Sequence, residues 1–224
     1  MSIVPDKNIK KLIKNGEINI LPYFDLHQGP NCYYCHIGEN FLVPKKIKKE
    51  INPLSTDSTH LFRRVKTPDS YILNPGKFVL AESFEKFGVS NKYIIRLYNS
   101  SSLARSGIGH LALGMINSGC GVEKPIRITL ELFNASPFQI KLVPSTIKKD
   151  RVKFGTEVFK ISVDRMTTSS SISYSKWEQG IFGSDETVIG SKMHKRNAIK
   201  KQVLNFRNSL QNEWWDNKKL QNRP

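Results

Sequence analysis

A short polar segment in the middle of the chain has the residue types of an anion-binding site. Residues 99–108 read Asn-Ser-Ser-Ser-Leu-Ala-Arg-Ser-Gly-Ile. The small hydroxyl side chains of Ser101 and Ser102 let the backbone approach an anion and donate hydrogen bonds to it, and Arg105 offers a planar fork of donors to phosphate oxygens. The segment taken alone also fits a polar turn whose arginine pairs with a surface carboxylate.

A second segment places one carboxyl group in an apolar strand. Residues 126–133 alternate between Ile or Leu and other residue types, and Glu131 belongs to the second set. Period-two alternation therefore predicts that Glu131 lies on the face opposite the main apolar set. Partial burial there would raise the pKa of Glu131 toward the range that a proton carrier needs. The pattern alone equally fits a carboxylate on an exposed strand face.

Together these segments resemble the dCTP deaminase branch of the dUTPase superfamily. Members of that branch have a serine pair followed by leucine, alanine and arginine, and then a strand of leucine, glutamate, an apolar or aromatic residue and asparagine. The Pro-Gly turn and strand within residues 71–85 are similar to the family, and residues 176–180, Lys-Trp-Glu-Gln-Gly, resemble the tail segment that closes over bound nucleotide. The resemblance covers residues 1–195, which we take as one domain.

The resemblance implies a zinc-independent deaminase that converts dCTP to dUTP and ammonia. Glu131 would activate water and return the proton to the departing amine. Ser101 would position the water and the substrate, and Arg105 would hold the region of the base and the phosphates. Ser102 would bind the triphosphate.

The resemblance also implies further ligands and a partner. Asn117, Lys176 and Gln179 are expected to contact the substrate, with the last two contributed by the tail. A magnesium ion would be bound through the nucleotide triphosphate, and no protein-held metal is expected. The family forms homotrimers in which each pocket is shared between neighbouring subunits.

Two departures from the family pattern bear on the reaction. Ser100 stands where the family has an arginine before the serine pair, and Asn117 stands where it has the aspartate of an Ile-Asp-Pro-Gly motif. The dUTPase branch uses that aspartate to orient water, so its loss favours deamination over pyrophosphate cleavage. The losses also support an alternative hypothesis, a divergent non-catalytic nucleotide-binding or regulatory protein of the same fold.

The pattern between residues 18 and 164 predicts an all-β core. Short runs rich in Ile, Val, Leu, Phe and Tyr are interrupted by prolines, and two clear strands are expected over residues 92–97 and 127–133. The resemblance implies a distorted jelly roll, or β-clip, of the dUTPase type. Before this core, Asp6 is expected to cap a short helix that ends at Gly16.

A basic extension, residues 196–224, is predicted to form a C-terminal amphipathic helix. Its apolar residues recur at helical spacing; they are Ile199, Val203, Phe206, Leu210 and Trp214. Packing on its own subunit or a neighbour is favoured over a nucleic-acid-binding face.

The motif formed by Cys32, Cys35 and His36 supports several hypotheses. A cysteine pair followed by histidine is the attachment pattern of c-type haem. It also suits zinc, with Cys120 or His110 completing a tetrahedron. Structural cysteines are the favoured interpretation, because zinc nucleobase deaminases place their histidine before the cysteines.

The formal charge of +16 in a 224-residue chain admits several anionic partners. A deoxynucleotide triphosphate is favoured, and nucleic acid is a weaker alternative because the lysines are scattered. No stretch of about 18 uninterrupted apolar residues occurs, so no membrane partner is expected. We expect a cytoplasmic protein without disulfide bonds.

Overall fold

A computed structural model describes residues 2–149, 151–182 and 186–206, and its architecture is β-rich. The described residues form fourteen strands and three α-helices, of which the last, α3, covers residues 193–206. The strands are β1 Ser2–Ile3, β2 Ile18–Leu21, β3 Tyr33–Pro44, β4 Phe62–Lys66, β5 Tyr71–Leu73, β6 Phe78–Val89, β7 Tyr93–Asn99, β8 Ile108–His110, β9 Met115–Ile116, β10 Ile126–Asn134, β11 Ile140–Leu142, β12 Thr146–Lys148, β13 Arg151–Lys153 and β14 Glu157–Arg165; the helices are α1 Asp6–Lys14 and α2 Ser101–Arg105. The all-β prediction is confirmed.

Ten strands form one curled antiparallel sheet, and two small two-stranded sheets flank it. The main path runs β8-β10-β6-β3-β14-β7-β9, while β1, β2 and β4 pair with β14, β6 and β3 respectively. The long strands β3 and β6 are central to this arrangement, and β3 pairs with β14 near its start and with β4 near its end. Most of the buried apolar side chains of the core lie on this ten-stranded sheet.

The strand predicted over residues 127–133 is β10, and its alternation is confirmed from Thr129 to Phe133. Leu130 and Leu132 are buried in the core, whereas Thr129, Glu131 and Phe133 are only half-buried on the other face. The register of β10 against β6 shifts between residues 127 and 129 and is regular from Thr129 to Phe133. The strand predicted over residues 92–97 is β7, which ends immediately before the segment with the serine pair.

The N-terminal helix forms as predicted, with a different cap. The capping residue of α1 is Pro5, and Asp6 is in the first turn, where its charge favours the positive end of the helix dipole. The expectation that Asp6 caps the helix is therefore wrong. Ile9 is buried, and Leu12 and Ile13, three and four residues later on the same helix face, pack partly against the core. Gly16 ends the segment with φ of +69°, a left-handed conformation that favours glycine.

The predicted C-terminal helix is present as α3, whose apolar residues are only partly covered. Ile199 and Val203 are half-buried, and Phe206 is exposed. The predicted residues Leu210 and Trp214 lie outside the described residues. The boundary predicted after residue 195 falls inside this helix and stays a prediction. In the described part of the chain, no helix is long and apolar enough to cross a membrane.

The buried side chains of β10 are expected to contribute strongly to the free energy of unfolding. Leu132 has no exposed surface, so we expect Leu132→Ala to lower the free energy of unfolding by about 2–5 kcal/mol through lost burial and a residual cavity. Leu26→Ala, at a residue that is 80% exposed, is the matched control and should change it little. Urea denaturation measures both, and equal effects of the two substitutions would contradict this packing.

Candidate active site

Glu131 lines a cavity of about 540 Å³ on the outer face of β10. On the opposing strand β6, Leu80 is paired in register with Glu131 and also lines the cavity. The remaining walls come from the β3–β4 connection, from β10 and from the segment that follows β14 and precedes α3. Apolar side chains predominate among them; they are Ile51, Pro53, Leu61, Phe62, Ile126, Ile128, Phe182 and Ile189.

The apolar surroundings change the acidity of Glu131. Burial raises the pKa of its carboxyl group above the usual value of 4.5, and a hydrogen bond from its own backbone amide opposes part of that shift. A raised pKa is the property that the sequence predicts for a group that both accepts and returns a proton near neutral pH. The predicted acid–base residue therefore has an environment that suits the role.

The predicted anion-binding residues lie on α2 and do not line this cavity. The side chains of Ser101, Ser102 and Arg105 are exposed on the short helix that follows β7. The Ser100 hydroxyl caps this helix by accepting a hydrogen bond from the Leu103 amide at 3.5 Å, and it donates to Glu157 Oε1 at 3.2 Å. The residue that replaces the family's arginine thus supports the local backbone of α2.

The other predicted substrate contacts occupy different places in the chain. Asn117 is exposed in the turn after β9. Lys176 lines a second cavity of about 560 Å³, together with Lys92 and Lys124. Gln179 is half-buried, and its backbone carbonyl accepts a 3.4 Å hydrogen bond from Arg196 Nη2. Their contacts with a substrate stay predictions.

Within one chain, the predicted anion donors on α2 are therefore not part of the Glu131 cavity. Of the described residues that line the Glu131 cavity, none belongs to α2, and Arg127 is the one Lys or Arg. Arg127 Nη1 already donates to the backbone oxygens of Ser83 and Phe84 at 2.6 and 2.5 Å. This cavity suits a flat, mostly apolar group better than a polyphosphate.

Cys35 and His36 of the cysteine and histidine motif are buried, and His36 is paired with a carboxyl group. His36 Nδ1 lies 2.8 Å from Glu85 Oε1, and the His36 amide donates to Glu85 Oε2 at 2.9 Å, with both residues buried. All three cysteines have free thiols, and Cys35 is completely buried. Within residues 2–149, 151–182 and 186–206, no group of three His, Cys, Asp or Glu side chains could hold a metal ion.

Sequence reasoning missed two contributors to the cavity. One is the β3–β4 connection, whose apolar residues between 51 and 61 carry no recognisable motif. The other is the segment after residue 180, from which Phe182, Ile189 and Ser191 line the cavity. The resemblance predicted that the tail near residues 176–180 contacts the substrate. The residues that line the cavity come from the segment that follows these positions.

Comparison with known proteins identifies the family. The family model described as dCTP deaminase-like matches residues 3–147. The chain belongs to the dCTP deaminase-like family. Two relatives are named "dCTP deaminase, dUMP-forming". The protein of Methanopyrus kandleri is 28% identical over 202 residues, which cover 87% of this chain and 97% of that protein. The protein of Corynebacterium efficiens is 33% identical over 145 residues, which cover 63% of this chain and 73% of that protein.

A solved structure extends the family likeness to the fold. The crystal structure of 2′-deoxycytidine 5′-triphosphate deaminase from Agrobacterium tumefaciens matches with a TM-score of 0.54 at 15% sequence identity. The match covers 73% of this chain and 48% of that longer chain. At that identity the comparison concerns architecture, and it confirms the dUTPase-like fold class predicted for this dCTP deaminase-like chain.

The raised pKa of Glu131 predicts that this carboxyl group lowers the stability of the folded state in a pH-dependent way. The folded chain holds the Glu131 proton more tightly than the unfolded chain, so the native state loses stability as the pH rises through the folded-state pKa. Glu131→Gln should therefore raise the melting temperature at pH 8, and the gain should vanish as the pH falls below the usual value of 4.5.

Thermal melts of both proteins across this pH range test the prediction. Glu123→Gln, at an exposed residue, is the control and should give no comparable gain. A gain for Glu131→Gln that stays constant from low to high pH would show that its cause is packing rather than ionisation.

Proposed function

We propose that this chain deaminates dCTP and releases ammonia. The observation that carries the proposal is the Glu131 carboxyl group, whose pKa is raised by burial and which faces an apolar cavity. Membership of the dCTP deaminase-like family and the names of the relatives support dCTP as the substrate. The hydrolytic reaction consumes one water and exchanges the amino group at C4 of the cytosine ring for oxygen.

Glu131 is the group that moves the proton. In its ionised form it accepts a proton from water, and the resulting hydroxide attacks C4 of the base. The protonated Glu131 then donates to the departing amino group as the bond from C4 to nitrogen breaks, so ammonia leaves and the carboxylate is regenerated. The apolar walls lower the polarity around Glu131, which strengthens the electrostatic interactions inside the cavity.

The triphosphate is bound by α2 of a neighbouring subunit in this proposal. Ser101 and Ser102 supply hydroxyl donors, and Arg105 supplies the guanidinium fork. In this chain these side chains are exposed and do not line the Glu131 cavity. The proposed homotrimer supplies the missing half of each pocket from an adjacent chain. Asn117, Lys176 and Gln179 remain proposed substrate contacts.

Magnesium enters this proposal with the substrate. We take the ion as the counter-ion of the triphosphate, and no step of the proton transfer passes through it. Its contribution is to offset the charge of the phosphates. Zinc has no role in the proposed reaction.

Two products are candidates after deamination. The first is dUTP, because Asn117 replaces the aspartate that the dUTPase branch uses to orient water for cleavage of the triphosphate. The second is dUMP with pyrophosphate, which the names of the relatives favour. Ammonia is released in both cases, so product identity and deamination can be measured separately.

The central test of the proposal is ammonia release from dCTP with magnesium present. Wild-type protein should release ammonia, and Glu131→Gln should lower kcat by about 10²–10⁴-fold because the amide cannot accept and return the proton. Glu123→Gln should stay within about twofold of wild type, in keeping with a surface substitution. Chromatography of the same reactions distinguishes dUTP from dUMP.

Each outcome has a definite meaning. Wild-type release no faster than that of Glu131→Gln would overturn the deaminase proposal. A rise in melting temperature with dCTP in the absence of ammonia release would favour the non-catalytic nucleotide-binding alternative, because a bound ligand stabilises the folded state by mass action.

A further inference from the structure

One segment after β14 crosses the outer face of the sheet and forms part of the Glu131 cavity. We call residues 187–191 the strap; its sequence is Thr-Val-Ile-Gly-Ser. We propose that Glu82 is a positioning residue for substrate binding, because it holds the strap, through the Thr187 hydroxyl, against the strand that carries Glu131. The part of this inference that concerns substrate rests on the proposed function.

Glu82 is a buried carboxyl group, and the hydrogen bond to its Oε2 comes from the strap. It is 2% exposed, Oε1 accepts from Asn40 Nδ2 at 2.7 Å, and Oε2 accepts from Thr187 Oγ1 at 2.8 Å. A buried carboxyl oxygen without a donor is costly, so release of the strap would leave Oε2 to find water. The carboxyl group therefore favours the docked strap.

Arg64 extends this contact to the edge strand β4. Its Nη1 donates to Thr187 Oγ1 at 3.1 Å, and its Nη2 donates to the Val188 carbonyl oxygen at 3.1 Å. The Thr187 hydroxyl thus accepts from a guanidinium and donates to a carboxyl group, which aligns its dipole between the two. A methyl group in place of this hydroxyl would break both contacts.

Apolar packing fixes the next residue of the strap. Val188 has no exposed surface and packs with Leu42 and Leu80, while Phe62 and Phe78 cover the edge of this small cluster. Leu80 also lines the Glu131 cavity. The buried valine and the hydrogen bonds of Thr187 therefore act at adjacent positions to hold the strap on the sheet.

The remainder of the strap reaches the catalytic strand. The Ile189 amide donates to Thr129 Oγ1 at 3.2 Å, and Thr129 lies two residues before Glu131 on the same face of β10. The Ser191 carbonyl accepts from Ser58 Oγ at 2.6 Å. Because Ile189 and Ser191 both line the cavity, displacement of the strap would remove a wall beside the reacting base.

The test compares two substitutions of one side chain. Thr187→Val keeps the shape and removes the hydroxyl, whereas Thr187→Ser keeps the hydroxyl. We expect Thr187→Val to raise KM for dCTP about tenfold with little change in kcat, because the strap affects binding of the ground state and the transition state equally and leaves proton transfer intact. Thr187→Ser should keep KM within about twofold of wild type.

A double substitution tests whether Glu82 acts through Thr187. Glu82→Gln should raise KM in the same direction, and Glu82→Gln combined with Thr187→Val should be no worse than the poorer single variant, because the two residues share one contact. Fully multiplicative effects on KM would overturn the assignment. So would a lower melting temperature with unchanged KM, since that result describes a purely structural role.

A second measurement does not require catalysis. Hydrogen exchange of the Val188 and Ile189 amides in the absence of nucleotide should be faster in Thr187→Val than in wild type or Thr187→Ser, because the strap opens more often. Unchanged exchange rates would overturn the proposed role of the Glu82–Thr187 contact in holding the strap, whatever the activity. Faster exchange in Thr187→Val, together with a wild-type protein that releases no ammonia, would support the Glu82–Thr187 contact while the deaminase proposal fails.

Discussion

The register of β10 is the constraint on which both the apolar core and the environment of the Glu131 carboxyl group depend. Leu130 and Leu132 fix the register of the strand by filling the core, and the alternation of side chains then directs Glu131 into the cavity on the other face. A slip of one residue would exchange these two environments. The core that stabilises the fold and the cavity that raises the pKa of Glu131 are therefore set by the same backbone register.

Three carboxyl groups near the centre of the sheet differ in their partners, and the differences indicate their roles. Glu85 is held by the imidazole and amide of His36, and Glu82 is held by Asn40 and Thr187. These contacts tie segments of the chain together. Glu131 instead faces a cavity with its pKa raised by burial, which is a cost to the fold that a reaction can use.

Much of this organisation could be predicted from local sequence. The alternation of residues 126–133 predicted both the strand and the face of Glu131, and the helical spacing at each end predicted α1 and α3. The serine pair and Glu131 pointed to the dCTP deaminase branch before the fold was known. The identity of the α1 cap could not be inferred securely, because proline and aspartate at adjacent positions both suit a helix start.

The remaining features depend on contacts between distant parts of the chain. Thr187 meets Glu82 across 105 positions, and Arg64 reaches Val188 across 124. No periodicity encodes such pairs, so the strap and the walls of the cavity were missed. His36 was similarly ambiguous, since a metal and a buried carboxylate are both suitable partners for a histidine and only the fold brings Glu85 to it.

Mixing two inactive variants tests most directly whether Glu131 and the α2 anion donors form one pocket across a subunit boundary. After subunit exchange of Glu131→Gln with Arg105→Ala in equal amounts, we predict recovery of about a quarter of wild-type ammonia release, because each shared pocket regains both residues in one of four pairings of neighbouring chains. A mixture that stays as inactive as either variant alone, with exchange verified by native mass spectrometry, would contradict the shared site.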